Sequence, residues 1–154
     1  MMTRTETVLD QLSPAVAAAL TPLTRPIAFA AGAVVLRDGI DTPFLGAILT
    51  GRIALRLRVP ELGDRITIVT IEPGELVGWS AVVPPFRATV DAVATESTRL
   101  LAIDAKALRE RLAVDHDLAA ELLPLILDSV SDRLAASWQQ LLDMYATRPA
   151  APGW

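Results

Sequence analysis

One histidine, no cysteine, and a basic complement of thirteen arginines with a single lysine set the chemistry open to this 154-residue chain. Without cysteine there is no thiolate nucleophile, no disulfide and no cysteine-ligated zinc. His116 stands alone, so neither a two-histidine metal site nor a histidine relay can be assembled, and a Ser-His-Asp triad would depend on it entirely. It lies between Asp115 and Asp117, where a long helix is expected to begin, and a surface or capping role suits it better than catalysis. No catalytic residue, metal ligand or cofactor site is therefore expected, and the chain reads as a non-enzyme. What remains is recognition by guanidinium groups, which pair with carboxylates and phosphates. Arg52, Arg56 and Arg58 line one face of an expected strand. They suit either an acidic partner or a solvated face that discourages strand-to-strand aggregation. The formal net charge of −4 argues against general nucleic-acid affinity.

The elements that must position these residues follow from periodicity. Hydrophobic residues make up 52% of the chain but aromatics only 5%, which predicts one domain with an aliphatic core. Val8, Leu9, Leu12, Val16 and Leu20 recur at helical spacing, with Ser13 and Pro14 as N-cap and first residue of a restarted helix. From Pro26 the pattern becomes strand-like, through Ile27 and Phe29, Val34 to Leu36, and the apolar run Phe44 to Leu49. Over Arg52 to Val59, residues Ile53, Leu55, Leu57 and Val59 are expected on one face. A turn at Leu62-Gly63-Asp64 leads to a strand over Arg65 to Ile71, and two more run over Thr89 to Thr95 and Arg99 to Ile103. Short strands at this spacing predict a closed or nearly closed barrel or sandwich. Asp104 caps a short helix through Leu112. A long helix of about 45 Å then runs from about Asp117 to Ala146, with Pro124 expected to kink or divide it. No run reaches the ~18 apolar residues of a membrane span, and no hydrophobic block follows Arg4 and Glu6, so a cytoplasmic protein is expected.

In order and spacing, five segments carry a resemblance: Ala31-Gly32-Ala33-Val34-Val35, Ile48 to Ile53, Ile71-Glu72-Pro73-Gly74-Glu75, Arg87 to Ala94, and Leu101-Ala102-Ile103-Asp104. Together they resemble the cyclic nucleotide-binding domain of the Crp/Fnr superfamily, here as a stand-alone variant without the C-terminal winged helix-turn-helix. The resemblance implies a mainly β fold, a double-stranded β-helix or jelly-roll-like β-roll, with an N-terminal helical segment and a short plus a long C-terminal helix. The expected divisions are 1–23 for the helical segment, 24–104 for the β-roll, 105–147 for the two helices and 148–154 for a flexible tail.

In that family a phosphate-binding cassette joins two strands, with a Gly-Glu pair for the ribose and an arginine for the cyclic phosphate. The matching stretch here reads Gly78-Trp79-Ser80-Ala81-Val82-Val83-Pro84-Pro85-Phe86-Arg87-Ala88-Thr89. Gly78, Trp79, Ser80, Ala81, Arg87, Ala88 and Thr89 are the implied ligand-binding residues, in degenerate form. Trp79 replaces the sugar-binding glutamate; an indole cannot accept hydrogen bonds from a diol, and it either plugs the pocket or stacks on an aromatic ligand. Arg87 is about one residue out of register, and in a strand such a slip reverses the side chain, leaving anion contact and a surface role both open. On the long helix, Leu123, Leu127, Val130, Leu134, Leu141 and Met144 fall on alternating steps of four and three with Ser137 as the one weak position, a seam with Trp138 and Tyr145 beside it. Leu127, Val130, Leu134, Leu141 and Met144 are the expected homodimer interface.

The chain is thus expected to be a dimeric sensor that binds a cyclic nucleotide or another small anion and signals to a partner protein, without direct DNA binding. Two alternatives are a ligand-free assembly module and a Crp/Fnr-type regulator that acts through a DNA-binding partner.

Overall fold

A computed structural model of the chain describes residues 6–146. Eight antiparallel strands form two four-stranded sheets. β1 (Thr24–Phe29), β8 (Thr98–Asp104), β3 (Phe44–Thr50) and β6 (Leu76–Val77) lie in that order in the first. The second runs β2 (Val34–Leu36), β7 (Asp91–Ala94), β4 (Ile53–Val59) and β5 (Asp64–Ile71). Around them stand α1 (Pro14–Leu20), α2 (Ala105–Val114) and α3 (His116–Ala146). This is the β-roll with helical flanks that the sequence predicts. The expected tail 148–154 lies outside the described residues.

The alternation of side chains along β3 and β8 explains why so apolar a sequence folds this way. Phe44 and Ile48 point into the roll with Leu100, Ala102, Ile53, Ile71 and Val77. Leu45, Ala47 and Ile103 point the other way, into a second core with Leu12, Val16, Leu20, Leu108, Leu118, Leu122 and Ile126 from the helices. A strand buried on both faces reads as a continuous apolar run rather than an alternating one, which is the pattern of Phe44 to Leu49.

The caps follow the sequence closely. Ser13 caps α1 with Pro14 at its first position, and the Asp104 carboxylate accepts from the Ala107 amide at 2.9 Å to start α2. The Ser13 amide and hydroxyl also donate to the Glu121 carboxylate at 2.7 and 2.8 Å, which ties the N-terminal segment to α3. The cap of α3 is Asp115, whose carboxylate accepts from the Leu118 amide at 3.0 Å. That hydrogen bond, aided by Arg111, holds the Asp115 carboxyl below its ordinary value. The stability it contributes is therefore present above the ordinary carboxylate pKa and is lost as pH falls below it.

β4 keeps its alternation: it pairs with β7 residue by residue from Ile53 to Arg56, and the register shift opposite Leu55 and Arg56 puts the extra residue, Ile68, on β5. Leu57 is exposed towards the far end of the strand. One expectation needs correction: Pro124 does not divide the long helix, and α3 is continuous over 31 residues with the proline inside it. Leu118, Leu122 and Ile126 are buried on either side of the proline, and their packing outweighs the lost hydrogen bond.

Since Pro124 is exposed, its replacement costs no core contact. Pro124→Ala is expected to stabilise the protein by roughly 1–3 kcal/mol, the scale of the helix-interior penalty, read as a raised midpoint in chemical denaturation. An unchanged or lowered midpoint would mean that the helix draws on the proline for its path.

Candidate functional site

The stretch from Gly78 to Thr89 connects β6 to β7 across the end of the roll. Gly78 opens it with φ 87°, and a Cβ there would stand 2.5 Å from the Phe44 carbonyl oxygen. Both the left-handed backbone and the close approach require glycine. Trp79–Ala81 makes a single 3-10 turn, closed by the Ala81 amide donating to the Gly78 carbonyl at 2.9 Å. Ser80 is buried, and its hydroxyl lies 2.6 Å from that of Thr42. It is thus committed to a hydrogen bond within the protein.

The far end of the cassette is clamped by α2. Arg109 donates from Nη1 to the Ala81 carbonyl at 2.9 Å and places its guanidinium 4.3 Å above the Phe86 ring. Among the described residues Phe86 is the non-glycine residue with positive φ, at 65°. Such a conformation carries strain that surrounding contacts must hold. Arg109 supplies that restraint from both ends of the loop.

Beyond Phe86 the chain zips against 39–42. The Thr42 amide donates to the Phe86 carbonyl, the Ala88 amide to that of Ile40 and the Gly39 amide to that of Ala88, at 2.8–3.0 Å. In this register Arg87 faces outward. Its side chain is 61% exposed, with Nε 3.4 Å from Asp41. Ala88 is the neighbour that turns inward and is buried. The structure therefore brings Gly78, Trp79, Ser80, Ala88 and Thr89 together around one small cavity, while Arg87 and Ala81 are not part of its lining. Ala81 is instead packed into the core between the roll and the helices, and half-buried Trp79 also leans on that core.

That cavity measures about 30 Å³. Drug-sized ligand sites have volumes of roughly 300–1,000 Å³, so as it stands the pocket is far too small for a nucleotide. Its charged lining residue is Arg133 of α3, which the sequence reading did not single out. A trace of it existed: from Leu122 and Ile126, steps of eleven and seven residues along a 3.6-residue helix return to nearly the same face. An arginine on that core-facing stripe is an anomaly. The guanidinium is largely buried and its Nη2 has no hydrogen-bond partner. Burial pulls its pKa down to about 10, against the pull of Glu75.

The second candidate surface is the outer face of α3. Leu127, Leu134, Leu141 and Met144 are exposed, as are Leu123, Trp138, Leu142 and Tyr145. Val130 differs, being half-buried against the helical core. An α-helix drifts about 20° per heptad against a 3.5-residue repeat. In a straight helix the exposed stripe therefore moves from the Val130 and Met144 side towards Trp138 and Tyr145. His116 is exposed at the start of α3, in keeping with a surface role. Among the described residues no cluster of three metal-ligating side chains occurs, and no helix is long and apolar enough to cross a membrane.

Comparison with known proteins supplies the context. The profile of the cyclic nucleotide-binding domain matches residues 26–115. A CRP-like cAMP-activated global transcriptional regulator from Mycobacterium tuberculosis is 24% identical over 140 residues, covering 91% of this chain and 60% of the relative. The chain thus spans about three fifths of the length of that relative. Among solved structures, a cyclic nucleotide-binding domain from Methylobacillus flagellatus superposes with a TM-score of 0.78 at 20% identity, over 89% of this chain and 80% of that one. The c-di-GMP responsive global regulator CLP of Xanthomonas campestris superposes with a TM-score of 0.74 at 14% identity, over 88% and 66%.

Gly78→Ala tests the geometry of the cassette. The left-handed backbone alone costs about 1–2 kcal/mol for a non-glycine residue, and displacing the Phe44 carbonyl adds to it. Thermal denaturation should show a clearly lowered midpoint, and an unchanged one would refute the close approach.

Proposed function

The chain belongs to the cyclic nucleotide-binding domain family, and on that premise we propose that it is a dimeric regulatory domain. A small anionic ligand enters at the cassette cavity, and the long helix passes its occupancy to a partner protein. The observation that carries this reading is the joint lining of the cavity by cassette residues and by Arg133 of α3. A ligand cannot enlarge a space of about 30 Å³ between them without moving one against the other. Sensing and helix displacement are then the same event.

The ligand class follows from what the cavity offers. Trp79, at the position of the sugar-binding glutamate, gives a ribose no acceptor, which weakens the case for cyclic AMP itself. Anions are favoured by the guanidinium in the lining. Ligand variation has a parallel in CLP, which shares the fold and is described as c-di-GMP responsive. The exposed leucines of α3 support the dimer: a second copy would cover Leu127, Leu134 and Leu141, with Trp138 at the centre of the stripe.

A second reading, a ligand-free assembly module, is favoured by the small size of the cavity together with that apolar stripe. Thermal unfolding with millimolar cyclic AMP, cyclic GMP and inorganic phosphate separates the two. Saturation at a hundred times the dissociation constant adds about 2.7 kcal/mol, or roughly 5–10 °C for a domain of this size. A rise with any of the three favours the sensor, and no rise with all three favours the assembly module. Leu134→Glu tests the dimer, since it places a charge in the seam. Light scattering should then return the monomer mass, and an unchanged mass would place the interface elsewhere.

A further inference from the structure

We propose that Arg133, on the long helix, is the anion-binding residue of this domain, and that it receives a phosphate-type oxyanion in the role the resemblance gives to Arg87. The inference rests on the sensor reading and names the group that makes the sensor respond.

Three observations carry it. Arg133 lines the cassette cavity with Gly78, Trp79, Ser80 and Thr89, whereas Arg87 is turned to solvent beside Asp41. Its Nη2 is buried without a hydrogen-bond partner. A guanidinium in that state carries an uncompensated cost, because buried charge is tolerated when paired and expensive when not. Finally, no described carboxylate pairs with it. Glu75, the acidic group whose field acts on it, has Oε2 engaged by the Glu72 amide at 3.1 Å. Asp132, the residue just before it, and Asp128, about one and a half turns back on α3, line the adjoining cavity with Arg133 but make no salt bridge to it.

A planar guanidinium with free donors is the side chain best matched to a phosphate or carboxylate, which it can grip through two parallel hydrogen bonds. The site distinguishes between anions by size. At about 30 Å³ the cavity holds roughly one water, so the anion must be compact or its entry must swing Trp79 and Thr89 aside. Because the receiving group belongs to α3, the ion would pin the dimer helix directly to the cassette. With the arginine on the cassette, as in the resembled family, that link would be indirect.

Thermal unfolding of four proteins, wild type, Arg87→Ala, Arg133→Lys and Arg133→Leu, decides the matter, each with and without millimolar cyclic AMP, cyclic GMP or inorganic phosphate. Wild type and Arg87→Ala are expected to gain about 5–10 °C with at least one phosphate compound. Arg133→Lys should retain part of that gain and Arg133→Leu none of it. Without ligand, Arg133→Leu should unfold at or above the wild-type midpoint, since it removes a buried unpaired charge while keeping an apolar stem. A response to inorganic phosphate alone would identify a free anion, and a response only to the nucleotides a phosphate carried on a nucleoside. The proposal is overturned if Arg133→Leu responds like wild type, which leaves the sensor reading intact. It is equally overturned if the unliganded variant melts several degrees lower, which would make Arg133 a structural residue. No response from wild type to any compound removes both the proposal and the sensor reading.

Discussion

The strands β8, β3 and β6 of the first sheet bury side chains on both faces, and the rest of the molecule is arranged by that constraint. One face closes the roll; the other must be covered by something, and α1, α2 and α3 cover it. Burying a leucine or isoleucine side chain is worth about 1.5–3 kcal/mol, so Leu45, Leu76 and Ile103 together give the helices a strong reason to stay. The position of α3 is therefore not set by a loop or by its own caps alone. It is set by Leu118, Leu122 and Ile126 lying on the back of the roll. That placement carries the next turns of the helix past the mouth of the cassette, which is how a residue 55 positions away in sequence comes to line the same cavity as Gly78.

The cassette itself is held as a stiff object. Gly78 fits against the Phe44 carbonyl, Ser80 is hydrogen-bonded to Thr42, and Arg109 pins the Ala81 carbonyl and the Phe86 ring. Three different elements, β3, the 39–42 segment and α2, thus grip a twelve-residue loop. Cation–π contacts contribute about 0.5–2 kcal/mol and a neutral hydrogen bond about 1, so no single grip is strong. Their joint effect is to hold the loop against three neighbouring elements at once, with Arg109 linking it to α2.

Much of this was legible in the residues, and the failures have physical causes. The short strands, the Ser13 and Asp104 caps and the start of the helical region could be read because local chemistry decides them, a hydroxyl or carboxylate beside free amides, a proline at a first turn, glycine at a turn; the β-roll itself was implied by the family resemblance. The bulge at Ile68 of β5 could not be read, since alternation is a local pattern and a bulge is a property of two strands together. Pro124 misled because its penalty is intrinsic while the packing that overrides it is tertiary. Arg87 was recognisable as a candidate but not orientable. A single residue of register decides which side it faces, and the partner that fixes the register, 39–42, lies far away in sequence. Val130 belongs in part to the core for a related reason: a heptad count ignores the drift of a straight helix.

Arg133 escaped notice because on a sequence it is one charged residue among many on a long helix, and charged residues are normally assigned to solvent. Its significance arises only when the neighbouring stripe is known to be buried. The net result is a relocation of charge rather than a loss of it. The cassette presents Ala88 inward where a guanidinium is expected, and the helix opposite presents a guanidinium where an apolar residue would pack better. A core position evolves towards leucine or methionine when stability alone is at stake, because replacing unpaired buried charge with apolar volume is commonly neutral or favourable. Keeping an arginine there costs stability in the empty protein, and an anion in the cavity is the condition under which that cost is recovered. On the proposed reading, the same residue that makes the unliganded pocket uncomfortable is the one through which a liganded pocket responds.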